Sequence, residues 1–229
     1  RSQVTTGELE RVLVPNGVAV CASDVLDSSS MQLFCSAGGS IGSWKFYRKP
    51  RSPETDEWTH FLYDASGNAV SKDKKAGRPR HVQWYAGPRH SRHHDALASL
   101  SAMTSSAGRF FYIYDEGPVS VIHQPPDWKL IARDAFNGKL LWKRRITRWM
   151  SHLYNFRAGP KQLPRLLVSV GDSVYAALGF DQPTVRLDAA TGTTERTYKG
   201  SEKTEEIIHH NRMLFVVTGD LEVMNQKAD

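Results

Sequence analysis

Beyond residue 101 the chain is a run of short apolar blocks parted by polar turns. Arg109-Phe110-Phe111-Tyr112-Ile113 follows Gly108, and Trp128-Lys129-Leu130-Ile131-Ala132-Arg133-Asp134 leads through Ala135-Phe136-Asn137-Gly138 to Leu140-Leu141-Trp142. The order returns at Gly171-Asp172-Ser173-Val174-Tyr175-Ala176-Ala177-Leu178 and Thr184-Val185-Arg186-Leu187-Asp188-Ala189-Ala190-Thr191-Gly192-Thr193. It begins a third time at Asn211-Arg212-Met213-Leu214-Phe215-Val216-Val217 and stops. Blocks of this length, rich in β-branched and aromatic residues and bounded by Gly and Asp, predict strands joined by tight turns. Leu166-Leu167-Val168-Ser169-Val170 and Glu206-Ile207-Ile208-His209 predict the strand preceding the second and third units.

Asp134 stands four residues before Gly138, and Asp188 four before Gly192; the copies are 54 residues apart. That period matches a unit of four antiparallel strands, the blade of a β-propeller. Within it the Asp carboxylate is suited to accept turn N–H groups, and Gly to take the positive φ that closes a hairpin. About two and a half blades are predicted in 101–229. A blade's apolar faces are covered only by its neighbours, so closure needs about four. The segment is therefore read as an incomplete propeller.

Upstream the texture changes. Thr6 predicts an N-cap for a short helix over 7–13, with Leu9, Val12 and Leu13 on one face. Pro15-Asn16-Gly17 makes a turn into a buried strand, Val18–Ala22. Residues 1–46 thus read as a small α/β segment. Residues 47–100 have few apolar runs, and Pro50, Pro53, Pro79 and Pro88 hold the residue before each in extended geometry. They predict an irregular connector that packs through Trp58, Phe61, Tyr63 and Trp84, and Trp44 adds an aromatic just before it.

Composition changes this picture little. A hydrophobic fraction of 40% in 229 residues suffices for a core, and a charged fraction of 24% gives no case for disorder. No apolar run approaches the roughly 20 residues that span a bilayer, so no membrane span is expected. The chain opens with Arg1 rather than Met and is read as a piece excised from something longer. The net charge of +6 gathers at Lys72, Lys74, Lys75, Arg78 and Arg80, and at Lys143, Arg144, Arg145 and Arg148. Neither patch comes with stacking platforms or a docking motif, so nucleic acid is not expected as a partner. The charges read as solvated loops and strand edges. Cys21 and Cys35 lack a zinc-finger spacing and read as small hydrophobes, able to pair in an oxidising compartment.

Ala132-x-Asp134-x-x-x-Gly138-x-x-x-Trp142 resembles the tryptophan-docking motif of pyrroloquinoline-quinone (PQQ) enzymes and their cofactor-free relatives. The resemblance implies that Trp142 stacks on a neighbouring blade and that Asp134, Gly138, Trp142, Asp188 and Gly192 are structural. In the second copy Arg186 and Arg196 stand where Ala132 and Trp142 do, with Tyr198 two residues on. Trp58-Thr59-His60-Phe61, Asn68, Ser71, Asp73, Pro79 and Gln83-Trp84, with the first copy, resemble large planctomycete-type proteins that join a methyltransferase-like segment to such repeats. Glu8, Arg11, Val12, Leu13, Pro15 and Gly17 are similar to the late part of a class I methyltransferase. The glycine-rich loop and acidic residue that hold that family's cofactor have no counterpart here.

The PQQ resemblance also implies where a cofactor and its calcium ion would lie, on the propeller axis. Asp115 and Glu116 follow a strand and are hard oxygen ligands in principle; a charged turn at the strand end is the other reading. His90, His93 and His94, with His81 and Asp95 nearby, carry imidazoles able to hold a transition metal. Their spacing fits neither a helical pair nor a finger, and Arg89 and Arg92 disfavour a cation, so a polar loop is the alternative. His209-His210 reads as a strand end. No Gly-x-Ser-x-Gly elbow, Ser/His/Asp set or phosphate loop is present, and Gly38-Gly39-Ser40-Ile41-Gly42 lacks the Lys and flanking elements.

The expectation is a mainly β chain: a non-catalytic PQQ-like propeller segment serving as a scaffold or binding platform. No cofactor is expected in this chain, with PQQ and calcium reserved for a longer protein. Its partners would be further blades or other proteins, and the resemblance implies an extracytoplasmic, periplasmic setting. The alternative is part of a quinoprotein dehydrogenase, or of a methyltransferase lacking its cofactor-binding half.

Overall fold

The computed structural model describes residues 5–22, 37–87, 99–119, 124–147, 163–179 and 181–219. The chain is mainly β and divides into two compact units, Arg1–Asp56 with Lys72–Gly77, and Glu57–Ser71 with Arg78–Asp229.

In the first unit, helix α1 (Thr6–Val12) is capped one residue earlier than the sequence predicts. Thr5 is extended and its hydroxyl accepts the Glu8 N–H at 3.3 Å. Two adjacent threonines can both serve, and backbone geometry selects the first. Lys49 Nζ donates to the carbonyls of Glu10 (2.5 Å) and Leu13 (2.8 Å), satisfying acceptors at the helix end. Strands β1 (Val18–Ala22), β2 (Ala37–Ile41) and β3 (Trp44–Arg48) form an antiparallel sheet in the order β1-β3-β2. The sequence predicts β1 as buried, but Val18 and Val20 are exposed. Side chains alternate between faces, so Val18 and Val20 share one face with Phe46 and Trp44, and Ala19 and Cys21 lie on the other with buried Tyr47. Asp73 Oδ2 accepts the Asp56 N–H at 2.9 Å and Asp56 Oδ2 accepts the Lys72 N–H at 2.6 Å, tying 72–77 to the segment before Glu57.

The described residues of the second unit form two four-stranded antiparallel sheets and a two-stranded one, none of them closed. Sheet one is β4 (Leu100–Ser106), β5 (Arg109–Asp115), β6 (Trp128–Asp134) and β7 (Leu140–Arg145) in sequence order. Sheet two is β8 (Leu167–Val170), β9 (Ser173–Ala177), β10 (Thr184–Asp188) and β11 (Thr194–Thr197), again in sequence order. The third pair is β12 (Thr204–His210) and β13 (Met213–Thr218). Between sheets one and two lies an apolar core: Phe111, Ile113, Leu130 and Ala132 from one side, Leu167, Val174, Ala176 and Leu187 from the other. A smaller core joins Val168 and Tyr175 to Ile207. Sheet two is thus covered on both faces, which is why β9 reads as a nearly continuous apolar run rather than an alternating one.

The two hairpin turns are built alike. Asp134 Oδ1 accepts the N–H groups of Phe136 (2.8 Å) and Asn137 (3.0 Å), and Gly138 N–H donates to the Asp134 carbonyl. Asp188 Oδ1 accepts those of Ala190 (3.1 Å) and Thr191 (2.7 Å), and Gly192 N–H donates to the Asp188 carbonyl. Gly138 and Gly192 have φ of 72° and 73°, a region that strains any residue with a Cβ. Each hairpin also shifts register at the same place, after Ala132 and after Arg186.

Candidate functional site

Three features of the second unit could carry function: the contacts that join its sheets, a strap across the sheets' first strands, and the cavity beside that strap.

The register of β6 and β7 pairs Trp142 with Ala132 and aims its indole at sheet two. Trp142 is 8% exposed, its Nε1 donates to the Ala189 carbonyl at 3.0 Å, and its ring covers Gly192. A Cβ on Gly192 would lie 2.6 Å from Trp142 Cδ2, so glycine is required for contact as well as for φ. Arg144 NH1 adds a bond to the Gly192 carbonyl. Beneath the indole, the Phe111 ring lies 6.0 Å away, centroid to centroid.

The same arrangement occurs one sheet earlier. Trp84 Nε1 donates to the Ala135 carbonyl at 2.8 Å, and a Cβ on Gly138 would lie 2.5 Å from Trp84 Cε3. Gln83 Nε2 donates to the Phe136 carbonyl, and Phe110 meets the indole edge-on at 6.3 Å. The sequence marks Trp84 only as an aromatic that must pack. A tryptophan in an extended segment, ahead of a turn glycine able to receive it, is the signal that would have found the dock. At the equivalent outer position of sheet two, Arg196 lies 5.0 Å over Tyr198.

The strap is Trp58-Thr59-His60. The Trp58 carbonyl accepts the Ser105 N–H on β4 (2.7 Å), and the Thr59 carbonyl accepts the Ser169 N–H on β8 (3.0 Å). His60 Nε2 accepts the His209 N–H on β12 (3.1 Å). Ser105, Ser169 and His209 each stand two residues before the turn that ends their strand, so successive strap residues meet the same position of successive sheets. Beside the strap lies a cavity of about 270 Å³ walled by His60, Asp64, Arg165, Val168, Glu206 and Ile207. Arg165 NH1 and Glu206 Oε1 pair at 2.7 Å. Ser66 Oγ donates to Asp64 Oδ1, but both nitrogens of His60 are engaged elsewhere, so this imidazole does not complete a hydrolytic set with them. Burial first, then His209, pushes the His60 pKa down to about 4, and burial also lowers that of His209.

Asp115 and Glu116 act within the fold. Asp115 is buried, and its Oδ1 accepts the N–H groups of Gly117 (2.9 Å) and Asp127 (2.8 Å), closing the β5–β6 connection. Glu116 Oε1 pairs with Lys143 Nζ at 2.5 Å. His90, His93 and His94 lie outside the described residues, as do Asp95 and Cys35. Among the described residues no group of three or more His, Cys, Asp or Glu could hold a metal ion, and no helix is long and apolar enough to cross a membrane.

No family model matches the chain, and no curated protein matches it. Among solved structures it is similar to the computationally designed Ika8 protein at 11% identity. That likeness covers 53% of this chain and 45% of the designed one, with a TM-score of 0.24.

Proposed function

We propose that the chain is a PQQ-like β-propeller segment that works as a scaffold or binding platform, not as a catalyst. The observation that carries this reading is the repeated dock: Trp142 on Gly192 and Ala189, and Trp84 on Gly138 and Ala135. A tryptophan that covers the turn glycine of the next sheet, with its N–H on the alanine carbonyl between Asp and Gly, ties sheets into a series. The partners follow from the same repetition. Phe111, Tyr175 and Phe215 are each the third residue of the second strand of their sheet. Phe111 is 0% and Tyr175 7% exposed beneath the sheet that follows, whereas Phe215 is 48% exposed. Another sheet of the same kind, or a protein presenting a similar apolar face, fits there.

The engagement of Asp115 by two backbone N–H groups and of Glu116 by Lys143 favours the scaffold over a quinoprotein dehydrogenase. The test is a titration of the chain with PQQ and calcium, followed by cofactor absorbance and by calorimetry. No spectral change and no binding heat at micromolar protein are expected. A saturable, calcium-dependent shift would overturn the scaffold reading in favour of the dehydrogenase.

A further inference from the structure

The scaffold reading makes no use of the His60 side chain, yet an imidazole is an odd choice for a buried tie. His60 is 6% exposed. Its hydrogen bonds fix its tautomer. Nε2 accepts the His209 N–H and so carries no proton, while Nδ1, 2.7 Å from the Thr59 hydroxyl, carries the ring's proton. The Thr59 hydroxyl passes its own proton to the Tyr63 carbonyl at 3.3 Å. A second proton on the ring would go to Nε2, where a donor would then face a donor.

We propose that His60 is an acid-released latch: neutral, it holds β12 and β13 to the strap through the His209 N–H, and protonation of Nε2 lets that end of the pair go. Groups from every neighbouring element bear on the ring. Asp64, from the strap's own loop, favours the cation. His209 and His210, from β12, oppose it. Tyr175 on β9 stacks on the His209 ring at 5.4 Å, and Arg165 and Glu206 across the cavity neutralise one another. Burial outweighs Asp64, and the ring's pKa stands below the ordinary 6.5, at about 4. The neutral ring's contribution is therefore complete above about pH 6.5 and is withdrawn as pH falls from there towards about 4. The adjoining cavity gives the charged ring access to water once the bond breaks. Two further ties of the pair involve no imidazole or carboxylate. Thr184 and Thr204 hydroxyls meet at 2.9 Å, and Ile207 packs on Val168 and Tyr175. Release is thus local.

The test is amide exchange by NMR on the full 229-residue chain between pH 7.5 and 4.5, corrected for intrinsic rates, in wild type, His60→Gln and His210→Gln. Protection of the His209 amide is expected to fall at least tenfold in wild type and His210→Gln, while the amides of Phe111 and Leu130 keep theirs. In His60→Gln, whose amide offers an acceptor and does not titrate, the His209 amide should show no such fall. A flat wild-type profile, the same fall in His60→Gln, or a fall shared equally by sheets one and two overturns the latch. Should His60→Gln fail to fold, long-range proton–nitrogen spectra of wild type decide. A His60 ring protonated on Nδ1 alone down to pH 5 is expected, and a ring protonated on Nε2 or charged at pH 6 refutes it.

Discussion

The indole of Trp142 fills the space that a side chain on Gly192 would need, with its Nε1 3.0 Å from the Ala189 carbonyl oxygen. Two demands meet at Gly192, a φ of 73° and a Cβ that would lie 2.6 Å from a ring held by packing on both sides. Gly192→Ala therefore carries backbone strain and displaces the indole, at a cost of about 2 to 4 kcal/mol. Trp142→Ala empties the dock and should cost about 3 to 5 kcal/mol. The double variant should cost clearly less than the two losses added, because both remove one contact. Urea denaturation of the four proteins measures it, and strict additivity would deny the dock.

Trp84 repeats that contact from a segment without strand pairing, half-buried rather than buried. Trp84→Ala should accordingly cost less, about 1 to 3 kcal/mol. Gly138→Ala should reproduce the effect, since its Cβ would meet the same ring at 2.5 Å. Tryptophan fluorescence during unfolding separates the two docks. In Trp84→Ala the change contributed by Trp142 should persist, and its loss would mean that the two docks do not form independently.

The contrast between these docks shows how far the sequence could be read. The Asp–Gly turns are legible because their chemistry closes within four residues: a carboxylate accepts local N–H groups, and glycine supplies a positive φ. The strands and their order follow from the same local pattern. Trp84 reaches an acceptor 51 residues away and His60 a donor 149 residues away, and no periodicity encodes such pairs. The exposed face of β1 escaped for a related reason: the apolar run Val18–Ala22 does not say which of its two faces a neighbour covers.

Asp188 gives a pH dependence of the same sign as that of His60, set at lower pH. The Thr191 hydroxyl first, then the Thr191 and Ala190 N–H groups, hold its carboxyl below the usual 3.8. The charged form is the one bonded in the fold, so its contribution is present above that ordinary value and lost as pH falls through the lower, folded one. Thr191→Val removes the largest cause and should raise the Asp188 pKa towards 3.8. Asp188→Asn should flatten the stability profile between pH 5 and 2.5. Carboxyl carbon titration by NMR checks the first, and urea midpoints across that range check the second. An unmoved Asp188 pKa in Thr191→Val would assign the depression to the backbone alone.

Tyr175 and Phe215 occupy the same place in consecutive sheets and differ in what lies over them. Tyr175→Ser removes a ring buried against Ile207 and should cost about 2 to 4 kcal/mol. Phe215→Ser removes one that is 48% exposed and should change stability by less than about 1 kcal/mol. The inequality should reverse in light scattering. With Met213 and Val217 half-exposed on the same face, Phe215→Ser should lower concentration-dependent association, while Tyr175→Ser should not. Equal stability losses at the two positions would mean that the Phe215 face is covered within the chain itself, and would remove it as the seat of a further sheet.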